Sequence, residues 1–257
     1  MNDRSRPDVS VVIPTHDRPA LLRRALASVE RQAFRSLEIV VVDDGDGSGA
    51  ALAAQSAARP LRTVDNARRG QVAARNRGIA AATGRFIAFL DDDDWWDDDA
   101  YLGAMLAAVP PSGLAYASGL IVPEGPGAAG AAAMPFWARA DARSIRQDNM
   151  LLVSGIVYDR SLHERLGAFD ADLPIYWDWD WYLRLFAAGA AFRAAASAAV
   201  RISARRDTTS APVNQDFRRD NLALLCRKHG LTGIVLRNHE SIARDQNAAA
   251  TAEGTSA

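Results

Sequence analysis

The sequence predicts an α/β fold: a Rossmann-like, mostly parallel central sheet flanked by helices. In the first part of the chain, short β-branched apolar runs alternate with segments of helical periodicity. Strands connected in this way need crossovers, which are right-handed and make successive strands parallel. A chain of 257 residues that is 49% hydrophobic and 24% charged can bury a sizeable core around such a sheet.

The elements follow in a regular order. We predict strands at residues 9–13, 37–42, 61–64 and 85–90, separated by helices at 19–32, 50–58 and 70–82. Pro19 opens the first helix and Gly84 ends the third. The second part is less regular. It is predicted to hold strands within 113–130 and at 151–158, a Trp/Asp cluster leading into a helix within 173–189, and an amphipathic helix at 215–229.

Charge and cysteine content exclude several classes of protein. A formal net charge of −1 produces no overall field that would attract nucleic acid. Cys226 is the single cysteine, so no internal disulfide can form, which favours a cytoplasmic protein. Residues 1–8 lack the apolar segment of a signal peptide, and no apolar stretch of about 18 residues predicts a transmembrane segment. Peripheral contact with the inner face of a membrane stays open.

Three polar turns follow predicted strands, at residues 15–18, 43–45 and 91–94. The carboxyl ends of parallel strands lie at one edge of the sheet, where ligands bind. We therefore expect these turns to converge in space although they are far apart in sequence.

The run Asp91 to Asp94 is the most informative of the three. Adjacent carboxylates repel one another unless a divalent cation or several donors compensate. Asp91 and Asp93 point to the same side of an extended backbone, and such a pair can hold Mg²⁺ or Mn²⁺ while open positions accept phosphate oxygens. A solvated acidic loop is the alternative reading, but the position after a buried strand favours a metal-diphosphate site.

Other motifs do not fit. Residues 44–49 imitate the start of an EF-hand loop, but Gln55 stands where a bidentate glutamate is required, so a tight Asp/Gly turn is the better interpretation. Residues 14–18 lack the G-x-G-x-x-G of a dinucleotide site. They also lack the Gly-rich, basic activating loop of a sugar nucleotidyltransferase. No P-loop or nucleophile elbow is present.

Six blocks taken together resemble the family 2 glycosyltransferases, which have the GT-A fold. The blocks are residues 9–18, 37–45, 69–78, 89–96, 166–170 and 178–185, where this sequence reads VSVVIPTHDR, LEIVVVDDG, RGQVAARNRG, FLDDDDWW, LGAFD and DWDWYLRL. No single block is specific, but all six occur in the family's order with ordinary spacing. The resemblance covers about residues 9–210.

The resemblance implies a site for a nucleotide-diphosphate sugar. The residues expected to border this donor are Pro14, Thr15, His16, Arg18, Asp43, Asp44, Arg69, Arg75, Asp91 and Asp92. Asp43 is expected to pair with the base, typically uracil, and Arg75 to reach the base or the diphosphate. Asp91 and Asp92 are expected to contact the ribose or the donor sugar.

The resemblance also implies a metal ligand and a base. Asp93 is expected to be the principal ligand of Mn²⁺ or Mg²⁺, and Asp94 to shape only the loop. Asp178 matches the second residue of the family's acidic pair, which is commonly the catalytic base. The neighbours Trp177 and Trp179 could form a platform for a sugar acceptor.

The chain departs from the family pattern at two places. Trp177 replaces the Glu of the acidic pair, which leaves Asp180 as a second candidate base. Ser203 stands where a His often helps bind metal or diphosphate, and Arg205 or Arg206 could compensate.

The roles of two groups of tryptophans stay open. An extended segment would put Trp177, Trp179 and Trp181 on one side, whereas a helix would spread them. Of the three, Trp181 is expected in the apolar core. Trp95 and Trp96 carry the same ambiguity. No chemistry is assigned to His163, His229 or His239.

The expected protein is thus a metal-dependent, inverting transferase that moves a sugar from a UDP-sugar to a hydroxyl of a carbohydrate, lipid-linked or small-molecule acceptor. The alternative is a non-catalytic nucleotide-sugar-binding module of the same fold. Its expected setting is the synthesis of cell-envelope polysaccharides or glycoconjugates. The donor sugar, the acceptor and the oligomeric state have no readable motif.

One domain is expected over residues 1–246. It comprises a nucleotide-binding half at about 9–100, an acceptor half at about 101–210, and C-terminal helices at 211–246. The low-complexity residues 247–257 are expected to form a disordered tail.

Overall fold

The structure is a computed structural model that describes residues 6–56, 58–205 and 215–254. The strands are β1 (Val9–Thr15), β2 (Leu37–Asp43), β3 (Leu61–Asp65), β4 (Phe86–Phe89), β5 (Leu114–Pro123), β6 (Met134–Phe136), β7 (Ile156–Asp159) and β8 (Phe192–Ala204). The helices are α1 (Pro19–Glu30), α2 (Ser48–Ser56), α3 (Gln71–Ala81), α4 (Tyr101–Ala108), α5 (Ser144–Gln147), α6 (Ser161–Leu166), α7 (Trp177–Ala187), α8 (Gln215–His229) and α9 (His239–Gly254). A short 3-10 turn lies at Val153–Gly155.

All these strands belong to one mixed sheet in the order β3-β2-β1-β4-β7-β5-β6, and β8 pairs with β5. β1 lies parallel between β2 and β4, and β3 is parallel to β2. β7 joins β4 in antiparallel orientation, and β5 and β6 continue the sheet in the same manner. The predicted parallel core is therefore confirmed, and the less regular second half extends the same sheet.

The alternation of side chains along β1 builds a core on each face of the sheet. Val11 packs in one apolar cluster with Leu22 of α1, whereas Val12 packs in another with Ile79 of α3. Gly78 allows α3 to approach closely, because a Cβ at this position would lie 2.4 Å from Cγ1 of Val12. This close packing sets the position of the preceding turn of α3 beside the end of β1.

β1 is longer than predicted because Pro14 does not end it. The pairing of β1 with β4 stops at Val12, whereas the pairing with β2 continues to Thr15. The missing N–H of Pro14 therefore removes no hydrogen bond to β4. The extension brings Thr15 to the edge of the sheet.

β8 was not predicted as a strand, because its segment is rich in alanine. Alanine favours helices and is depleted in strands. Here, pairing with β5 over most of the length of β8 overrides that preference. The last residues of β8 carry Ser203 to the same edge as the end of β4, where the backbone of Trp95 pairs with that of Arg201.

The prediction of a disordered tail is wrong for residues 247–254, which form the end of α9. The amide Nδ2 of Asn247 donates to the carbonyl of Pro135 at 2.7 Å, and the side chain of Gln246 pairs with both backbone groups of Trp137. Alanine-rich sequence folds here because it has a surface to pack on. Residues 255–257 lie outside the described part of the chain. Among the helices described, none is long and apolar enough to cross a bilayer.

Candidate active site

The three polar turns converge at the carboxyl ends of β1, β2 and β4, as predicted. Thr15 Oγ1 donates to Asp92 Oδ2 at 2.7 Å, and Arg18 Nη1 lies 3.0 Å from Asp93 Oδ2. The ring Nδ1 of His16 lies 2.8 Å from the carbonyl oxygen of Asp44. These residues surround a cavity of about 510 Å³. A pocket of this size can hold a small ligand.

Most of the predicted site residues line this cavity. They are Pro14, Thr15, His16, Arg18, Asp44, Arg75, Asp91, Asp92, Asp93, Trp177 and Asp178. Asp43, Arg69 and Trp179 are not among the residues that line it.

Asp43 is placed as the cap of α2. Its two carboxylate oxygens accept hydrogen bonds from the backbone N–H groups of Gly45 and Ala50, each at 2.8 Å. The neighbouring Asp44 lines the cavity instead, and its carboxylate accepts from Asn66 Nδ2 and from the N–H of Gly70. The turn after β2 therefore presents Asp44 to the cavity.

The aspartates after β4 form a cluster that could bind a metal ion. One carboxylate oxygen from each of Asp91, Asp93 and Asp94 lies within 4.8 Å of the others. Asp94, expected only to shape the loop, is held in place because it accepts from Ser154 Oγ and from the N–H of Ser203. Asp92 is 1% exposed and is bound by Thr15 and Arg18.

The electrostatics of the cluster favour a bound cation. Burial and the neighbouring charges of Asp93 and Asp91 raise the pKa of Asp92 to about 6, against the opposing charge of Arg18. Burial also raises the pKa of Asp93, and burial with the charges of Asp93 and Asp91 raises that of Asp94 well above its usual range. The charge of Arg18 therefore does not offset the effect of burial on the pKa values of Asp92 and Asp93. A hard divalent cation with oxygen ligands suits this donor set.

Arg75 links the acidic cluster to the far wall of the cavity. Its guanidinium forms an ion pair with Asp91 and stacks over the ring of Trp177, 4.5 Å from the ring centroid. Trp177 is 4% exposed and packs against Phe169. Stacking and the ion pair together fix the orientation of the arginine.

Asp178 lies in the first turn of α7 and is 8% exposed. Its Oδ2 accepts from Asn149 Nδ2 at 2.7 Å, and its Oδ1 accepts from the N–H of Trp179 at 2.8 Å. Burial raises the pKa of Asp178 to about 6, although these hydrogen bonds and the charge of Arg75 act in the opposite direction. A carboxylate that titrates near neutral pH and faces a cavity is suited to general base chemistry.

Asp180, the second candidate base, has a structural place. Its carboxylate contacts His229, Lys228 and Arg184 at 2.7, 2.7 and 2.8 Å, and it does not line the cavity. Burial alone would raise the pKa of Asp180, but these partners outweigh it and lower the pKa to about 2. Of the two candidate bases, only Asp178 therefore faces the cavity.

The Trp/Asp cluster is helical, so its tryptophans spread around α7. Trp177 lines the large cavity, Trp179 donates from Nε1 to the carbonyl of Ile145, and Trp181 is fully buried and stacked on His163. Trp96 is also in the core, where it donates to the carbonyl of Ser154. Trp95 is partly exposed and lies under the guanidinium of Arg24.

Several cavity residues were missed from sequence. Asn238, His239 and Glu240, at the start of α9, line the large cavity, and burial lowers the pKa of His239 to about 4. Asn149 contacts Asp178 from the loop after α5. No local motif marks these residues, because only the packing of the C-terminal helices brings them to the site.

Ser203, where the chain departs from the family pattern, contacts two acidic residues. Its backbone N–H binds Asp94 and its hydroxyl donates to Glu124, which also pairs with Arg24. Arg205 lines the cavity, and its charge acts on Asp93 and Glu124. Arg206, the other residue suggested to compensate, lies outside the described part of the chain.

The parallel core, the acidic cluster after β4 and the buried aspartate of α7 are arranged as in a glycosyltransferase with the GT-A fold. Residues 10–164 match the family described as Glycosyl transferase family 2. The chain belongs to this family.

Known proteins similar to the chain agree with this assignment. The uncharacterised glycosyltransferase YwdF of Bacillus subtilis is 32% identical over 238 residues, which cover 90% of this chain and 87% of that protein. The GalNAc(5)-diNAcBac-PP-undecaprenol beta-1,3-glucosyltransferase of Campylobacter jejuni is 34% identical over 93 residues, 34% of this chain and 30% of that protein.

Two solved structures share the fold. The mannosyltransferase PcManGT from Pyrobaculum calidifontis, in complex with GDP-Man and Mn²⁺, has a TM-score of 0.65 at 21% identity, over 88% of this chain and 64% of that one. Residues 1–349 of TarS from Staphylococcus aureus, in complex with UDP-GlcNAc, have a TM-score of 0.64 at 19% identity, over 86% of this chain and 66% of that one.

Proposed function

We propose that this glycosyltransferase moves a sugar, with inversion at the anomeric carbon, from a nucleotide-diphosphate donor to a hydroxyl of its acceptor. The observation that carries the proposal is that one cavity brings the acidic cluster after β4 together with the buried carboxylate of Asp178. The cluster is suited to hold the leaving group through a metal, and Asp178 to accept a proton.

The donor would bind across the carboxyl ends of the parallel strands. Thr15, His16 and Asp44 border the cavity on the side where β1 and β2 end, so we assign the nucleoside to that side. Arg18 and Arg75 supply guanidinium groups that line the cavity and contact Asp93 and Asp91 of the acidic cluster. Both can reach phosphate oxygens once the donor is present.

Asp91, Asp93 and Asp94 would hold Mn²⁺ or Mg²⁺, with Asp93 as the principal ligand. When bound, such an ion supplies Lewis-acid stabilisation for the negative charge that develops on the departing diphosphate. Arg18, which contacts both Asp92 and Asp93, keeps these carboxylates oriented.

Asp178 would act as the general base. The acceptor oxygen forms a bond to the anomeric carbon as the bond from that carbon to the diphosphate oxygen breaks. The proton of the acceptor hydroxyl passes to Asp178, and the electron pair of the broken bond leaves with the nucleoside diphosphate. One displacement with no enzyme nucleophile inverts the anomeric centre.

We propose a UDP-sugar as the donor, on the resemblance of residues 37–45 to the family's strand and turn; Asp44, which lines the cavity, would then take the place expected of Asp43 beside the base. One structural neighbour has GDP-Man bound and another UDP-GlcNAc. The acceptor would be a carbohydrate, a lipid-linked glycan or a small molecule. The name of the Campylobacter relative points to a polyprenol-linked acceptor for that protein. A cytoplasmic reaction that builds cell-envelope glycans, with peripheral membrane contact, fits this class of acceptor.

A thermal-shift screen of nucleotide sugars, each with and without Mn²⁺, tests the proposal. A donor that binds only the folded state raises the midpoint of unfolding in proportion to its affinity and concentration. We expect UDP-sugars to stabilise the chain, and to do so more strongly with Mn²⁺. Stabilisation by GDP-sugars alone would correct the nucleotide, and no stabilisation by any donor would overturn the proposal.

A further inference from the structure

A second, smaller cavity lies directly behind Asp178. Its volume is about 80 Å³, and it shares Ile175, Asp178, Asn238 and His239 with the wall of the large cavity. The carboxylate of Asp178 therefore stands at the boundary between the two. The side chain that approaches it from this second side is that of Asn149.

The orientation of the Asn149 amide follows from its partner. A carboxylate only accepts hydrogen bonds, so the group 2.7 Å from Asp178 Oδ2 must be the Nδ2 donor. This leaves Asn149 Oδ1 as a buried acceptor that has no partner in the described part of the chain, and the same is true of His239 Nε2. Both residues line the small cavity, which has room for ordered water that would satisfy them.

Few other groups stabilise the charge of Asp178. Arg75 acts on it from α3, and the N–H of Trp179 binds its other oxygen. His239 of α9 is neutral near pH 7, because burial lowers its pKa to about 4. Burial raises the pKa values of Tyr176 and Tyr182, so both also stay neutral. Arg218 of α8 and the ion pair of Arg237 with Asp148 line the far side of the small cavity.

We propose that Asn149 is the positioning residue of the general base: its amide fixes the orientation of the Asp178 carboxylate and favours its ionised form. The inference rests on the proposed function of Asp178. In the family pattern, an acidic residue precedes the base, but in this chain Trp177 occupies that place and holds Arg75 instead. The partner of the base is supplied from the loop after α5.

Two substitutions test this role without relying on fold loss alone. Asn149→Leu keeps the approximate size of the side chain and removes the donor, whereas Asn149→Asp is nearly isosteric and places a like charge beside the base. Asn221→Leu is the matched control, because Asn221 is a buried asparagine of α8 whose Nδ2 donates to the carbonyl of Phe217 and which lines neither cavity.

The first readout is the pH dependence of turnover, measured as hydrolysis of the donor found in the thermal-shift screen. Asn149→Leu removes a hydrogen bond to a charged group. This loss should raise the pH midpoint of the acidic limb of kcat by about one unit. Asn149→Asp should move it further, and Asn221→Leu should leave it at the wild-type position. The affinity for UDP with Mn²⁺, by calorimetry, should stay within about threefold in all three variants, because Asn149 does not line the large cavity.

The second readout requires no turnover. The pH dependence of thermal stability is compared for Asn149→Leu in the wild-type and in the Asp178→Asn background. The substitution should change that pH dependence only where Asp178 is present. An acidic limb that does not move in Asn149→Leu, or a change of equal size in both backgrounds, would overturn the positioning role.

Failure of the proposed function would look different. In that case the wild-type chain would bind no nucleotide with Mn²⁺ and would turn over no donor. The stability comparison would still report whether Asn149 controls the ionisation of Asp178.

Discussion

Four consecutive aspartates at the end of β4 are not equivalent, and their differences come from their neighbours. Asp92 is closed off by Thr15 and Arg18, whereas Asp91, Asp93 and Asp94 present oxygens to one another. At the scale of single residues, the separation of the carboxylate oxygens therefore decides which aspartates could share a metal ion.

Asp93→Ala should remove the effect of Mn²⁺ on donor binding. Removal of a ligand should lower the Mn²⁺-dependent affinity for UDP by about tenfold or more, because the cation loses an anionic oxygen. Calorimetry with UDP, with and without Mn²⁺, measures this difference. Asp99→Asn is the control, since Asp99 is exposed and pairs only with Arg31 among the ion pairs described. Equal affinities of the Ala variant and the wild type would remove Asp93 from the metal site.

Asp178→Asn should reduce turnover by a factor on the order of 10²–10⁴ while donor affinity stays within a few-fold. The amide keeps the shape of the side chain but cannot accept the proton. Asp180→Asn serves as the comparison. It should lose stability, because it leaves His229, Lys228 and Arg184 without their shared anion, but retain much of its turnover at a temperature where it is folded. The reverse pattern would transfer the base to Asp180.

At the scale of elements, the C-terminal helix α9 contributes both packing and cavity wall. Its first turn lines the large cavity, and its later turns bind the backbone of β6 and of Trp137. Helix α9, whose end has a low-complexity sequence, thus forms part of the cavity wall.

Deletion of residues 247–257 should lower the midpoint of thermal unfolding by about 5 °C or more, because it removes Asn247 and the second half of α9. The experiment is a thermal melt monitored by far-ultraviolet circular dichroism. A shorter deletion that begins at residue 255, after the end of the helix, is the control and should melt close to the wild type. Identical melting of both deletions would mean that the helical end contributes no stability.

At the scale of the whole molecule, the buried carboxylate of Asp178 lowers the free energy of unfolding at neutral pH. The folded-state pKa of Asp178, about 6, lies above the ordinary value of 3.8, so ionisation opposes folding. The penalty is absent below about pH 4, where the carboxyl is protonated in both states, and is complete above about pH 6. For Asp180 the sign is reversed, since its folded-state pKa of about 2 lies below 3.8.

The unfolding free energy of Asp178→Asn minus that of the wild type should therefore increase as the pH rises from 4 to 7, to at most about 3 kcal/mol. Urea unfolding at several pH values gives this difference. For Asp180→Asn, the loss of stability relative to the wild type should diminish as the pH falls from about 4 to about 2. A pH-independent difference for Asp178→Asn would show that burial does not raise the pKa of the Asp178 carboxyl.

The sequence by itself determined the parallel core and most of the cavity wall formed by the turns after β1, β2 and β4. Periodicity and the polar ends of β1, β2 and β4 are local properties, and sheet geometry brings such ends together. That Thr15, Arg18 and the aspartates after β4 meet could be predicted for that reason. The contact with the base was assigned to Asp43, but Asp43 caps α2 and Asp44 lines the cavity, because the path of the turn decides which carboxylate faces the cavity.

Only the tertiary structure decided the other side of the site. Asn149 and His239 stand beside Asp178 because distant loops and helices pack there, and no local signal records such a contact. The alanine-rich strand β8 and helix α9 form because they find partners in β5 and β6, which outweigh local preference. Periodicity along the chain reports local conformation, whereas the surroundings of Asp178 depend on contacts between segments far apart in sequence.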